Sequence, residues 1–339
     1  TGERLSHHRV ERKSPLRVTK GISLDDVRPG DCLVAFSRKE VIQWAAKLDK
    51  HGISAAVIYG ALTPEVRQRQ AESFRSGQAK VVVATDAIGM GLNLPIKRVV
   101  FTAFQKFDGE KVRPLNCTEV KQIAGRAGRY GIHDQGEVTA LASDTSFLSH
   151  NLSQAEPPLG KMIPIAPLWA HVDNVMRSLD TDSVGEALSF FERHSWGKVY
   201  SVRGLESAIV RANSAWHRRI DPKTVFALAF SPVDLERNED RETFHMVVSC
   251  IAADRVVSVP RLGSYFDCDD QNIKPTGAQL QFAETHARQL TYLAWAGTRF
   301  PGLVDLDELA QERQRTDQFV NRALSGSYKR LTPSRRSRR

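Results

Sequence analysis

Val81-Val82-Val83-Ala84 is a run of four apolar residues, three of them β-branched, with nothing polar at alternate positions. A strand with one wet face alternates; a strand sealed on both faces does not, and such strands belong to parallel sheets covered by helices on each side. The surrounding sequence supplies the other parts of that pattern. Cys32-Leu33-Val34-Ala35-Phe36, Ala55 to Tyr59, Arg98 to Thr102 and Glu137 to Ala142 read as further strands. Between them a helix is expected from about Lys39 to Lys50, with Val41, Ile42, Ala45, Ala46 and Leu48 on one side and Gly52 to stop it. Thr63 is placed to cap a second helix that has Pro64 at its first position and runs towards Ser76-Gly77. This rhythm predicts an α/β domain: a mostly parallel sheet with flanking helices.

Between Phe104 and Arg113 the chain reads FQKFDGEKVR, with Asp108-Gly109 at its centre. That is a hairpin signal, and the ribbon should project from the sheet. Further on, residues 151–167 hold Pro157-Pro158, Gly160, Pro164 and Pro167, a break between domains. Beyond it the period changes to that of helices, as in Val184, Ala187, Leu188 and Phe191, or Leu205, Ala208, Ile209 and Ala212. The expected organisation is a connecting segment at 1–30, the α/β domain at 31–150, a linker at 151–167, an all-α domain at 168–325 and a basic tail at 326–339. Trp169, Trp196, Trp216 and Trp295 are expected in the helical core.

The chain of 339 residues has 41% hydrophobic residues, so disordered and collagenous classes are excluded. No run approaches the roughly 18 apolar residues of a membrane helix. The four cysteines, at 32, 117, 250 and 268, form no CxxC, which argues against a disulfide framework or a zinc site, and no metal site is expected. They read as reduced thiols. The net charge of +9 is concentrated at the ends: six of the surplus charges lie in Tyr328–Arg339 and four in residues 1–20, leaving −1 for the body. Charge alone therefore says little about the folded surface, although a basic tail adds salt-sensitive affinity for a polyanion.

The chemistry is concentrated in Gln122-Ile123-Ala124-Gly125-Arg126-Ala127-Gly128-Arg129. Read as a continuation of the helix begun by Thr118-Glu119-Val120-Lys121, it would place Gln122, Arg126 and Arg129 on one side. Two guanidiniums beside glycines suit a triphosphate, whose charge must be neutralised during transfer. This octapeptide resembles motif six of the superfamily-two helicases. Ala84-Thr85-Asp86-Ala87-Ile88-Gly89-Met90-Gly91-Leu92-Asn93-Leu94-Pro95 resembles motif five, and Phe36-Ser37-Arg38 resembles motif four, in the right order. RPGDCLVAFSRKEV, AVIYGALTP, ATDAIGMGLNLPIKRVVF and QIAGRAGRYG together are similar to the Suv-three group of RNA helicases, as is Glu11 to Leu16 upstream.

The resemblance implies a second RecA-like domain followed by the helical carboxy-terminal part of an ATP-dependent RNA helicase. It implies Arg126 and Arg129 as fingers on the γ-phosphate, with Gln122 near the hydrolytic water. Asp86 and Gly91, with Gly125, are implied on the nucleotide side, and Ser37, Arg38 and Thr85 on the RNA backbone. Phe104 and Phe107 of the hairpin are implied as base-stacking residues. The cofactor implied is ATP with magnesium, and the partners are single-stranded or partly duplex RNA, a first RecA-like lobe and an exoribonuclease. The sequence contains no GxxxxGK[ST] loop and no DExH segment. The expectation is therefore the carboxy-terminal part of a larger helicase, inactive alone. A non-catalytic RNA- or partner-binding module and a DNA-acting helicase are the other readings. The group is found in bacteria and mitochondria; the expected compartment is a bacterial cytoplasm, with the mitochondrial matrix as the other choice.

Overall fold

The computed structural model describes residues 12–89, 92–157, 162–194, 196–197, 199–202, 204–263 and 275–325, with Ser6, Tyr328 and Leu331. These divide into two compact units. Residues up to Pro157, with 275–281 and 319–331, form the first; residues 162–263, with 282–318, form the second.

The first unit contains β1 (Leu16–Val18), β2 (Asp31–Val34), α1 (Arg38–Lys50), β3 (Ala55–Ile58), α2 (Pro64–Arg75), β4 (Val81–Ala84), β5 (Arg98–Phe101), β6 (Gln105–Phe107), β7 (Val112–Pro114), α3 (Cys117–Ala124), β8 (Gly136–Ala140) and α4 (Ser146–Ser153). Six strands form one sheet in the order β1-β8-β5-β2-β4-β3, and every pairing is parallel. All residues of β2, β4 and β5 are buried, as the unalternating Val81 to Ala84 run requires. Gly52, at φ +70°, ends the turn after α1, and Thr63 Oγ1 accepts the Val66 N–H at 3.3 Å to cap α2. The core joins Val34, Ile58, Val82 and Phe101 of the sheet to Phe74 of α2 and Ile123 of α3.

Two features of this sheet lie outside the sequence reading. Leu16–Val18 forms an edge strand, in register with Gly136–Val138, where only a connecting segment is expected. Three residues with Arg17 exposed are too short to show a pattern; the strand exists because β8 offers a ladder, extended by the bridge from Ile22 to Leu141. The other feature is a buried ion pair between adjacent strands. Arg98 Nε and Nη2 donate to the two oxygens of Asp31 at 2.9 and 2.6 Å, with the side chains 6 and 1% exposed. At the opposite edge, the buried Tyr328 hydroxyl lies 2.7 Å from the Ala55 carbonyl of β3 and 2.7 Å from that of Leu324.

The second unit contains β9 (Ile163–Pro164), α5 (Trp169–Leu179), α6 (Val184–Arg193), β10 (Tyr200–Ser201), α7 (Glu206–Ala215), α8 (Pro222–Ala229) and α9 (Asn238–Ala252). The helices α10 (Gly277–Arg299) and α11 (Leu306–Ser325) give residues to both units. The apolar stripe read from the sequence supplies the core, with Val184, Leu188, Phe191, Ala208, Ala212 and Leu228 all buried. The parallel pair β9 and β10 interrupts the expected all-helical architecture, but only over two residues each. Trp216 is a correction: it follows the end of α7 and is 60% exposed, because the helix stops one residue before the stripe reaches it. Trp169, Trp196 and Trp295 pack against the core. Trp196 lies after α6, stacked on Phe191 at 5.1 Å with its indole N–H donating to the Phe191 carbonyl. Inside this unit, His286 and Glu312 meet at 3.1 Å, 5 and 7% exposed, and the Glu312 carboxylate also accepts the Leu262 N–H. Gly91 and the expected basic tail, apart from Tyr328 and Leu331, lie outside the described residues.

Candidate functional site

Parallel strands in an open sheet bring their carboxyl ends to one side, where loops are free to carry chemistry. Ser37 and Arg38 follow β2, Tyr59 to Ala61 follow β3, and Thr85 and Asp86 follow β4. All line a single pocket of about 470 Å³. Ser37 has extended backbone and caps α1, accepting the Glu40 N–H at 3.2 Å, while the Glu40 carboxylate accepts the Phe36 N–H at 3.0 Å. This reciprocal capping fixes the turn and leaves Ser37 exposed. The Arg38 guanidinium lies 5.8 Å from the centre of the Tyr59 ring. Thr85, only 9% exposed, donates its N–H to the Ile58 carbonyl, which tethers the loop after β4 to β3. Asp86 starts a short 3-10 turn and pairs with Lys106 Nζ at 3.1 Å. Glu119 and Gln122 of α3 line the same pocket.

The arginines lie elsewhere. The expected helix through Arg129 is corrected: α3 ends at Ala124, Gly125 is its cap, and Arg126 and Arg129 follow in a non-helical loop. The glycines are the physical reason. Gly128 has φ +71°, and a Cβ there would lie 2.4 Å from the Gly136 nitrogen, so the loop reverses against β8 where a side chain could not fit. Gly125, Arg126 and Arg129 line a second pocket of about 210 Å³. Arg129 Nη1 donates to the Asn93 carbonyl at 3.3 Å, linking this loop to the last part of the stretch that resembles motif five.

One residue of this second pocket carries no role in the sequence reading. Arg12 donates to the Gly125 carbonyl at 2.8 Å, to the Ser14 carbonyl at 2.5 Å and to the Ala127 carbonyl. It thus satisfies two acceptors left open where α3 ends. Burial lowers the pKa of its guanidinium from the usual value. Its place within the Glu11 to Leu16 resemblance was the available signal, but nothing local shows where the side chain goes.

The structure therefore gathers the expected residues into two groups: Ser37, Arg38, Thr85, Asp86 and Gln122 in one pocket, and Gly125, Arg126 and Arg129 in the other. Gln122 and Asp86 are on the pocket away from the arginines. The hairpin is present, with Gln105–Phe107 antiparallel to Val112–Pro114, and its turn is wider than the two residues at Asp108-Gly109. Asp108 donates its N–H to the Lys111 carbonyl at 3.1 Å, and its carboxylate accepts the N–H groups of Glu110 and Lys111. Phe107 is 61% exposed near the tip. Phe104 is corrected from a base-stacking residue to a core one: its ring stacks on Phe147 at 4.8 Å and packs against the core of the unit.

Residues 17–131 match the family described as the helicase conserved C-terminal domain. This part of the chain is similar to helicase C-terminal domains. The matched stretch starts within β1 and ends just after Arg129, so it takes in the first pocket, the hairpin and all of the second pocket except Arg12, Lys13 and Ser14. Over nearly its full length the chain is similar to curated mitochondrial ATP-dependent RNA helicases. It is 29% identical over 335 residues to the DExH-box ATP-dependent RNA helicase DExH16, mitochondrial, of Arabidopsis thaliana, covering 96% of this chain and 58% of that protein. It is 30% identical over 322 residues to the ATP-dependent RNA helicase SUV3, mitochondrial, of Oryza sativa subsp. japonica, covering 93% and 55%. Among solved structures, the C-terminal domain of the DEAD-box protein Dbp5 aligns with a TM-score of 0.32 at 17% identity, over 42% of this chain and 88% of that one. The chain thus spans little more than half the length of the curated relatives it matches. The similarity beyond the helicase C-terminal domain extends the Suv-three resemblance into the helical unit. The expectation of a bacterial cytoplasm is corrected, since these relatives are mitochondrial proteins of eukaryotes. Reduced cysteines report a redox state and not an address, so residue chemistry could not separate the two compartments.

Proposed function

We propose that this chain supplies the second lobe and the helical region of an ATP-dependent RNA helicase acting in RNA turnover. The observation that carries the reading is the glycine-built loop that presents Arg126 and Arg129 at one small pocket beside the end of α3. The donor set fits a polyphosphate: two guanidiniums line this pocket, and guanidiniums form charge-assisted, two-pronged hydrogen bonds with phosphate oxygens. In this reading ATP, when bound, supplies the phosphoryl group whose hydrolysis drives the cycle. A first lobe brings the GxxxxGK[ST] loop and the ligands for magnesium. Arg126 and Arg129 neutralise charge on the transferred group, whereas Gln122, expected near the hydrolytic water, lies with Ser37, Arg38 and Thr85 in the other pocket. Ser37, Arg38 and Thr85 hold the RNA backbone, contacts that carry no base information. The hairpin, with Phe107 exposed near its tip, meets the duplex ahead. The mitochondrial relatives support that organelle as the place of action, and the Suv-three resemblance supports an exoribonuclease partner.

The test is Arg129→Ala in an enzyme that contains both lobes. An arginine finger is worth about 10³ to 10⁵ in phosphoryl-transfer turnover, so RNA-stimulated ATP hydrolysis should fall at least about a thousandfold with the fold intact. Retention of more than about a tenth of the activity overturns the assignment. Matched RNA and DNA strands separate the RNA reading from the DNA one, because only RNA offers a 2′-hydroxyl to the site.

A further inference from the structure

The hairpin poses a mechanical question. Strands β6 and β7 are three residues long and contain no buried residue, and the cross-strand pair at the tip, Phe107 and Val112, is 61 and 66% exposed. A two-stranded ribbon of this size is marginally stable on its own. Apolar burial along the strands is not what fastens it to the lobe.

A single carboxylate does so. Glu119, in the first turn of α3, accepts from Arg113 Nη1 and Nη2 of β7 at 2.9 Å each and from Lys106 Nζ of β6 at 2.8 Å. It also accepts the Asn116 N–H at 2.9 Å, within the capping box that starts the helix. Lys106 reaches on to Asp86 at 3.1 Å, and Arg113 Nε holds Asp108 of the turn at 3.0 Å. Both strands are thereby tied to the beginning of the helix that carries Gln122, and one of them to the loop that carries Thr85. The Glu119, Lys106 and Arg113 side chains are 18, 20 and 30% exposed, so the network is shielded more than an ordinary surface pair. The two-pronged arginine contact fixes direction as well as distance.

We propose that Glu119 is a positioning residue that, gripped by Arg113 and Lys106, holds the hairpin stiff against the lobe so that its Phe107 and Val112 tip can part a duplex. This role rests on the helicase reading above. Hydrogen bonding from Arg113 holds the Glu119 carboxyl down to about 2, so the brace stays charged at any physiological pH.

The test substitutes Arg113, which lines neither pocket, and reads two quantities. In this chain, amide exchange over residues 105–114 should speed up about tenfold or more in Arg113→Gln, and by less in Arg113→Lys, which keeps the charge but not the fork. In the two-lobed enzyme, Arg113→Gln should keep RNA-stimulated ATP hydrolysis within about twofold while the rate of duplex unwinding falls about tenfold or more, with Arg113→Lys between. Unchanged exchange in the hairpin overturns the brace. Hydrolysis and unwinding that fall together overturn the positioning role. A wild-type enzyme that fails to unwind RNA overturns the helicase reading instead, and it is recognised without any variant.

Discussion

Gly128 and Gly136 approach so closely that a Cβ on Gly128 would lie 2.4 Å from the Gly136 nitrogen, and one on Gly136 would lie 2.7 Å from the Ala127 carbonyl carbon. The arginine loop is therefore pressed directly onto the first residue of β8. Gly128→Ala combines a strained φ of +71° with a backbone clash, and it should cost at least about 2 kcal/mol. Gly131, at φ +83° with open space around it, separates the two effects: Gly131→Ala should cost about 1 kcal/mol. Urea denaturation of the two variants measures the difference, and equal losses would show that packing against β8 contributes nothing.

The Asp31 and Arg98 pair is buried between β2 and β5, and Arg98 Nη2 also donates to the Asp26 carbonyl at 2.9 Å. Removing one partner strands a charge, so Arg98→Met should cost about 3–5 kcal/mol. Adding Asp31→Leu to it should recover much of that loss, because the stranded carboxylate goes too. Denaturation midpoints of the single and double variants decide it; a double variant worse than Arg98→Met would show that the pair is irreplaceable.

The Glu119 carboxyl, held down to about 2 chiefly by Arg113, ionises far more readily in the folded chain than the usual unfolded value of about 4.3. Its contribution to stability is complete above that unfolded value and is lost as pH falls towards 2. The stability gap between the wild type and Glu119→Gln should therefore be constant from pH 7 to about 5 and narrow below. A gap that does not change down to about pH 2 would show that the carboxylate charge is not what matters.

His286 behaves differently. Burial lowers its pKa from the usual value of 6.5, and the hydrogen bond the ring donates to the Glu312 carboxylate opposes that shift only in part. The folded chain takes up the proton less readily than the unfolded one, so the stabilisation is full above about pH 6.5 and declines as pH falls through the lowered value. Thermal melting at about pH 7.5 and 5.5 should show a smaller drop in His286→Gln than in the wild type.

How much of this was legible in the sequence follows from the range over which each feature is determined. Val81 to Ala84 is read to the residue, because sealing a strand on both faces leaves a local mark. Thr63-Pro64 and Gly52 mark helix ends for the same reason. The end of α3 was missed: at spacings of four and three, helical periodicity and a glycine-bent loop look alike until Gly136 is known to sit beside Gly128. The edge strand at Leu16 was missed because its only warrant is the ladder on β8. For the candidate site, the motifs supply Ser37, Arg38, Thr85, Asp86, Gln122, Gly125, Arg126 and Arg129 of the pocket linings, but not that they fall into two pockets, nor that Phe104 turns inward. Arg12, Lys106 and Glu119 gain their roles from partners 113, 20 and 13 positions away, distances at which sequence spacing is silent.

The hydroxyl of Tyr328 on the Ala55 carbonyl has a consequence for solubility. Ala55 begins β3, the last strand of its sheet, and an unmasked final strand is a template on which another chain can add itself. Tyr328 occupies one of those acceptors, and Asn321, Leu324 and Ser325 line the groove of about 530 Å³ beside it. A version of this protein shortened ahead of Tyr328 would keep every motif of residues 17–131 yet uncover the Ala55 carbonyl, leaving Gln70, which accepts the Val57 N–H at 3.0 Å, as a remaining shield on that strand, and would be more prone to self-association.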